Sequence, residues 1–237
     1  MTTRYAEPGE IPLGPDVTVV ALDRFASRGA VRPAGLLRWD DTIAGMEFDV
    51  QVVDPGRWEN LCDLFGPYGT YRGCWCMTWR ISDKEFRANG NDGNRRALQD
   101  RVRAGDQVGL IGYRDSTPVV WCSVAPRSTF PKVLKSTAIP PAGPDDVQGE
   151  EVWSVVCFFV RAGHRRQGLM DPMLAAAVDL ARDAGATAVE GYPMDTEDGT
   201  RRGAIYSGTV ALFERSGFTL HRRPRTGRRV IMRRELG

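Results

Sequence analysis

The chain has 237 residues, 42% of them hydrophobic and 26% charged, and a formal net charge of +2. This is the composition of an ordinary globular protein, long enough for one large domain or a domain with an appendage. The near balance of charge argues against a protein built as a whole to coat nucleic acid; no apolar run reaches membrane-spanning length, and the N-terminal MTTRYAEPGEIPLG lacks the apolar core of a secretory signal.

A soluble, cytoplasmic protein without membrane contact is therefore the expectation. The five cysteines are an odd set, and four lie in stretches that read as apolar helix or strand, which favours reduced core thiols over a disulfide framework. With only His164 and His221 to join them, no metal site is expected.

Residues 1–45 carry prolines, glycines and short apolar patches without a sustained period, and read as an N-terminal extension to a domain spanning 46–237. Phe48–Val53 alternates like a strand, and Asp54-Pro55 opens a helix through Trp58, Leu61, Cys62 and Phe65. The turn-rich Gly66–Gly73 leads into Cys74-Trp75-Cys76-Met77-Thr78-Trp79-Arg80. Asn89–Gly93 predicts another turn, with Asn94 capping a helix that ends at Gly105. Val108–Tyr113 and Val119–Val124 predict a hairpin, and the Pro-, Ser-, Thr- and Gly-rich Pro126–Gly149 a long functional or mobile connection.

The run Val152–Val160, broken only by Ser154, suits a strand buried on both faces. Met170, Met173, Leu174, Ala177, Val178 and Ala181 then form one apolar helical stripe, with Pro172 tolerable only near its start. Between strand and helix stands Gly163-His164-Arg165-Arg166-Gln167-Gly168-Leu169. Two guanidinium groups and the unpaired amides of a helix N-terminus converge there, which reads as an anion site, most naturally for phosphate, the other reading being a solvated basic turn. Further on, Thr187–Glu190 reads as a strand, Gly191–Gly199 as an acidic loop, Ala204–Ser216 as a helix closed by Gly217, and Thr219–Arg222 and Arg229–Leu236 as two strands around a basic turn.

The order of strand, Arg165-x-x-Gly168 and amphipathic helix resembles the acyl-CoA-binding segment of the GNAT superfamily of N-acyltransferases. Phe213-Glu214-Arg215-Ser216-Gly217-Phe218 resembles the Tyr-Glu-x-x-Gly-Phe that closes that family's last helix. The resemblance covers roughly residues 46–236. It implies an α/β fold with a mixed central sheet of about six to seven strands flanked by helices. It also implies transfer of an acetyl or other short acyl group from acetyl-CoA, as co-substrate, to a primary amine by direct transfer. On the same basis Arg165, Arg166, Gln167, Gly168, Leu169 and Met170 are expected to hold the diphosphate, and the Phe158 and Val160 amides the pantetheine arm and acyl carbonyl. Met170 stands where the family usually has Gly or Ala.

Acyl transfer to an amine needs a neutral amine, a stabilised oxyanion and a proton for the departing thiolate. Phe213 replaces the tyrosine that gives this proton in many GNAT enzymes; Tyr206, read as two turns earlier on the same helical face, is the candidate substitute, its other reading a surface or core tyrosine with the thiolate protonated by water or by the leaving ammonium proton. Glu190, in an apolar strand, is the candidate base; its other reading is a carboxylate paired with an arginine. Cys74–Trp79 admits three readings: a two-thiol element, core packing, or a substrate wall using Trp75 and Trp79. The acceptor is left open between a small molecule and a protein amine. A catalytically silent acyl-CoA sensor is the alternative function, and nucleic-acid binding by the arginines of His221–Arg229 a third.

Overall fold

The computed structural model describes residues 48–135, 151–195, 206–223 and 229–237, all within one compact unit, Leu36–Gly237. The extension expected over 1–45, most of the Pro126–Gly149 connection, the end of the acidic loop and the centre of the basic turn lie outside the described residues.

Strand β1 (Phe48–Val52) turns Phe48 and Val50 inward, as its alternation requires. Asp54 then accepts the Arg57 amide at 3.0 Å, and α1 (Trp58–Phe65) buries Trp58, Leu61, Leu64 and Phe65. The next helix corrects the sequence reading. Asn89–Gly93 is no break between elements: α2 (Asp83–Arg103) begins at Ser82, whose hydroxyl and the Glu85 carboxylate form a reciprocal capping box, and only Gly90 departs from helical dihedrals. Asn94 is buried inside this helix and donates to the Gly73 carbonyl at 2.9 Å instead of capping it.

A hairpin follows, β2 (Leu110–Arg114) and β3 (Thr117–Pro126), whose turn residues Asp115 and Ser116 both take positive φ, the geometry that matches strand twist. After the short α3 (Pro131–Lys135) come β4 (Val152–Val160), α4 (Met170–Asp183) and β5 (Ala188–Gly191). The last predicted helix is shorter than expected: Thr209 caps it through a bond from the Leu212 amide, and α5 is Val210–Arg215. Strands β6 (Thr219–Arg222) and β7 (Ile231–Glu235) close the chain.

The seven strands form one mixed sheet in the order β1-β2-β3-β4-β5-β7-β6, with β4 and β5 parallel and the other described pairs antiparallel. One face packs on α4, whose Met173, Leu174, Ala177, Val178 and Ala181 meet Val155, Phe158 and Val189. The other packs on α1 and α2 through Trp58, Phe65, Trp75, Leu98 and Trp121. Among the described residues no helix is long and apolar enough to cross a membrane, and the five cysteines are free thiols.

Candidate active site

Two neighbouring strands part at the centre of the sheet. The parallel pairing of β4 with β5 ends at Val155 and Gly191, while β4 runs on to Val160 beside β3. A register shift between Ser123 and Val124 leaves Val156 as an extra residue on β4. Its effect is visible in the side chains: Trp153, Val155 and Phe158 share the α4 face, where strict alternation would have sent Cys157. Beyond the bulge the Arg161 amide donates to the Val119 carbonyl at 2.9 Å, on the β3 side. By alternation Phe158 and Val160 direct their backbone groups to the opposite edge, where no strand pairs with them among the described residues.

The turn after β4 is exposed from Arg165 to Gly168, and Leu169 is buried beneath it. Arg165 Nε donates to the Val160 carbonyl at 3.2 Å, so its guanidinium is tied to the end of the free edge. Arg166 (φ 63°) and Gly168 (φ 75°) both take left-handed dihedrals, and a Cβ placed on Gly168 would meet nothing within 4 Å. Gly168 is thus required by its dihedral, and the space over it is open. Leu169 offers no side-chain cap to α4, and the carboxylate of that first turn, Asp171, is taken by Arg215 at 2.9 Å. Met170 is half-buried and packs against the core.

Two arginines missed by the sequence reading brace this turn. Arg161 pairs with Asp63 of α1 at 2.6 Å. Arg114, at the end of β2 and only 8% exposed, donates to the Gln167 side-chain oxygen, while Gln167 Nε2 donates to the Gly163 carbonyl at 3.0 Å. Arg114 Nε is sealed from solvent without an acceptor, and no carboxylate among the described residues meets Arg114, Arg165 or Arg166. Uncompensated guanidiniums beside free amides suit an anion.

On the other side of the parting the surroundings are buried. Glu190, 2% exposed, receives Arg127 and Arg233 at 3.2 Å each and the Tyr192 hydroxyl at 2.9 Å. Both of its oxygens are engaged, which matches the arginine-paired reading and leaves no free lone pair aimed at an incoming amine. Tyr192 also meets Ser154 at 2.8 Å, and burial, with Glu190 nearby, pushes its hydroxyl well above the usual tyrosine range. Burial lowers the Arg80 guanidinium to about 9; it donates to the Val108 carbonyl at 2.9 Å and lies over the Phe130 ring.

The two tryptophans separate. Trp75, 2% exposed, stacks on Trp58, meets Phe65 edge-on and donates to Asn91 at 2.9 Å, so it is part of the core rather than an open wall. Trp79 is half-buried against the cluster holding Val156 and Tyr192, with its indole N–H sealed and unpaired. Cys74 meets Thr78 and Cys76 accepts from Trp121; burial raises the Cys74 thiol, and a hydrogen bond with Cys157 together with burial pushes Cys76 well up.

Tyr206 needs correction as to place. It precedes the Thr209 cap, so it shares no helical face with Phe213; it is 40% exposed, and its hydroxyl accepts from Arg229 at 2.6 Å. Phe213 is fully buried, edge-on to Phe218, and its ring fills the space a Cβ on Gly191 would need.

A profile described as the acetyltransferase (GNAT) family matches residues 75–218. No curated protein matches the chain. Among solved structures, a GNAT-family acetyltransferase from Listeria monocytogenes is similar at 12% identity and a TM-score of 0.52, over 83% of this chain and 99% of that one. PaiA N-acetyltransferase from Thermoplasma acidophilum, in complex with coenzyme A, is similar at 13% identity and 0.47, over 80% and 99%. YncA from Salmonella typhimurium, with its cofactor acetyl-CoA, is similar at 14% and 0.47, over 80% and 94%.

Proposed function

Because this chain belongs to the GNAT family of acetyltransferases, we propose that it moves an acetyl or other short acyl group from coenzyme A to a primary amine by direct transfer. The observation that carries the reading is the unpaired β4 edge at Phe158 and Val160, running straight into a turn whose arginines lack carboxylates. Acetyl-CoA fits that donor set: an extended amide edge for the pantetheine arm and cationic groups with free amides for the diphosphate.

Arg165, Arg166, Gln167 and Gly168 then hold the diphosphate, with the amides of Leu169 and Met170 at the start of α4 behind them. Phe158 and Val160 orient the acyl carbonyl through their backbone. The thioester supplies an activated acyl carbon; the amine nitrogen bonds to it as the C–S bond breaks, the sulfur gains a proton and the nitrogen loses one. Tyr206 is the proton donor in this scheme, since its oxygen accepts from Arg229 and its own O–H remains to give. Glu190, held by two arginines, is assigned to fixing β5 rather than to taking the amine proton. Trp79 stands on the acceptor side, whose amine is a small molecule or a protein residue.

Thiol release from acetyl-CoA over a panel of amines tests the activity, and coenzyme affinity tests the site. Arg165→Ala and Gly168→Val are each expected to weaken coenzyme A binding about tenfold; unchanged affinity in both variants defeats the assignment. Phe213, buried and without a hydroxyl where many family members carry tyrosine, favours a second reading as an acyl-CoA sensor. Coenzyme binding without thiol release from any amine decides for the sensor.

A further inference from the structure

Arg229 has only a supporting part in that scheme, yet it is built into the parting of the strands. Its backbone bridges to Met194, just past β5, and the next residue, Val230, donates to the Pro193 carbonyl at 3.1 Å. Nη1 donates to the Tyr192 carbonyl at 2.8 Å and to Ser207 Oγ at 2.7 Å, and Nη2 to Tyr206 Oη at 2.6 Å. The guanidinium lies over two rings, 5.4 Å from the centre of Trp79 and 5.2 Å from that of Tyr206.

All three acceptors are neutral. Neighbouring arginines find carboxylates, Arg223 at Asp195 and Arg233 at Glu190 and Glu235, whereas no carboxylate among the described residues meets Arg229. A guanidinium has five N–H groups in a fixed fork, and three bonds leave Nε–H and one Nη2–H without an acceptor among the described residues. The adjoining Trp79 indole N–H is a sealed donor, also without an acceptor. Spare donors, a net positive charge and two aromatic walls suit a planar anion, and a carboxylate matches the fork.

We propose that Arg229 anchors a carboxylate carried by one of the two reactants, with Trp79 and Tyr206 as its flanking walls. This rests on the acyl-transfer reading for the identity of the reactants. The carboxylate has two sources: the acceptor amine, as in an amino acid, or the acyl group, as in a dicarboxylic acyl-CoA.

Calorimetric titration of the full chain separates them. One arm compares amino acids with their decarboxylated amines on the coenzyme-A-loaded protein, for example L-phenylalanine against phenethylamine; the other compares succinyl-CoA with acetyl-CoA. One arm is expected to show at least a tenfold preference for the carboxylate-bearing ligand, falling below about threefold in Arg229→Gln. Arg229→Lys, which keeps the charge and loses the fork, is expected to retain part of the preference, and carries the test if Arg229→Gln does not fold. Absence of a preference in both arms, or a preference undiminished in the variants, overturns the proposal. A carboxylate preference without thiol release from any amine sinks the transfer reading and leaves the anchor standing. Thiol release without such a preference sinks the anchor alone.

Discussion

The two sides of the parted strands are made of different material. The turn after β4 presents backbone amides and exposed guanidiniums, and its one indispensable side-chain requirement is the absence of a side chain at Gly168. The opposite side is assembled from interlocked side chains: buried Glu190 with its two arginines, buried Tyr192 on Ser154, and half-buried Arg229 over Trp79 and the exposed Tyr206. A site made of backbone needs the fold only locally and is disturbed by charge and dihedral changes. One whose centre is a buried polar network, Glu190 with Arg127 and Tyr192, is part of what holds the sheet together, so altering that network threatens stability first.

That contrast breaks if the buried side proves dispensable. Glu190→Ala is expected to cost about 3–5 kcal/mol of folding stability, because it removes the carboxylate that the buried Arg127 guanidinium and Tyr192 hydroxyl meet and one of the two that Arg233 meets. A denaturant midpoint moved by the equivalent of less than about 1 kcal/mol would show that the network contributes little. A smaller and different effect is expected on the turn. Arg114→Ala removes the brace on Gln167 and should raise the KM for acetyl-CoA about five- to tenfold, with little change in kcat at saturation and partial rescue by Arg114→Lys. An effect confined to kcat would place Arg114 elsewhere in the cycle.

The smallest effect at ordinary pH comes from titration, and it sharpens the contrast. Burial raises the Tyr192 hydroxyl and the Cys122 thiol, and the bond with Cys157 followed by burial raises the Cys76 thiol, so the folded chain keeps these protons when the unfolded chain would release them. The stability they lend is complete below about pH 8.5 and is lost as pH rises through the thiol and then the tyrosine range. Unfolding midpoints measured from pH 8 to 11 should fall, and Tyr192→Phe should flatten the part above about pH 10. A midpoint that rises with pH contradicts the assignment.

What could be read in the sequence follows the same division. The donor segment is contiguous: β4, the turn and α4 occupy one stretch, and period, glycine and arginine placement all survive as local pattern. Ser82-Asp83-Lys84-Glu85 also announces the start of α2, but the glycines and asparagines of Asn89–Gly93 outweighed it; a long polar helix anchored by Leu98 and Val102 has little apolar period to read. Thr209 after Gly208 is likewise a cap signal, and it excludes Tyr206 from the helix. Arg114 and Arg229 carried no signal among so many arginines, because their roles arise from residues 53 and 22 positions away in sequence. The Glu190 pairing was foreseen as one of two readings, and only tertiary contact separates them.

The extra residue at Val156 acts as a phase shift in β4. Were the same nine residues to pair in a single rhythm with no bulge, the amides of Phe158 and Val160 would turn toward β3 instead of the open edge. The bulge therefore sets which amides of Val152–Val160 face the open edge, whatever apolar side chains the strand carries. Loss of Val156 itself would straighten the strand and keep Phe158 and Val160 on the open edge, because Cys157 would then follow Val155 in the alternation.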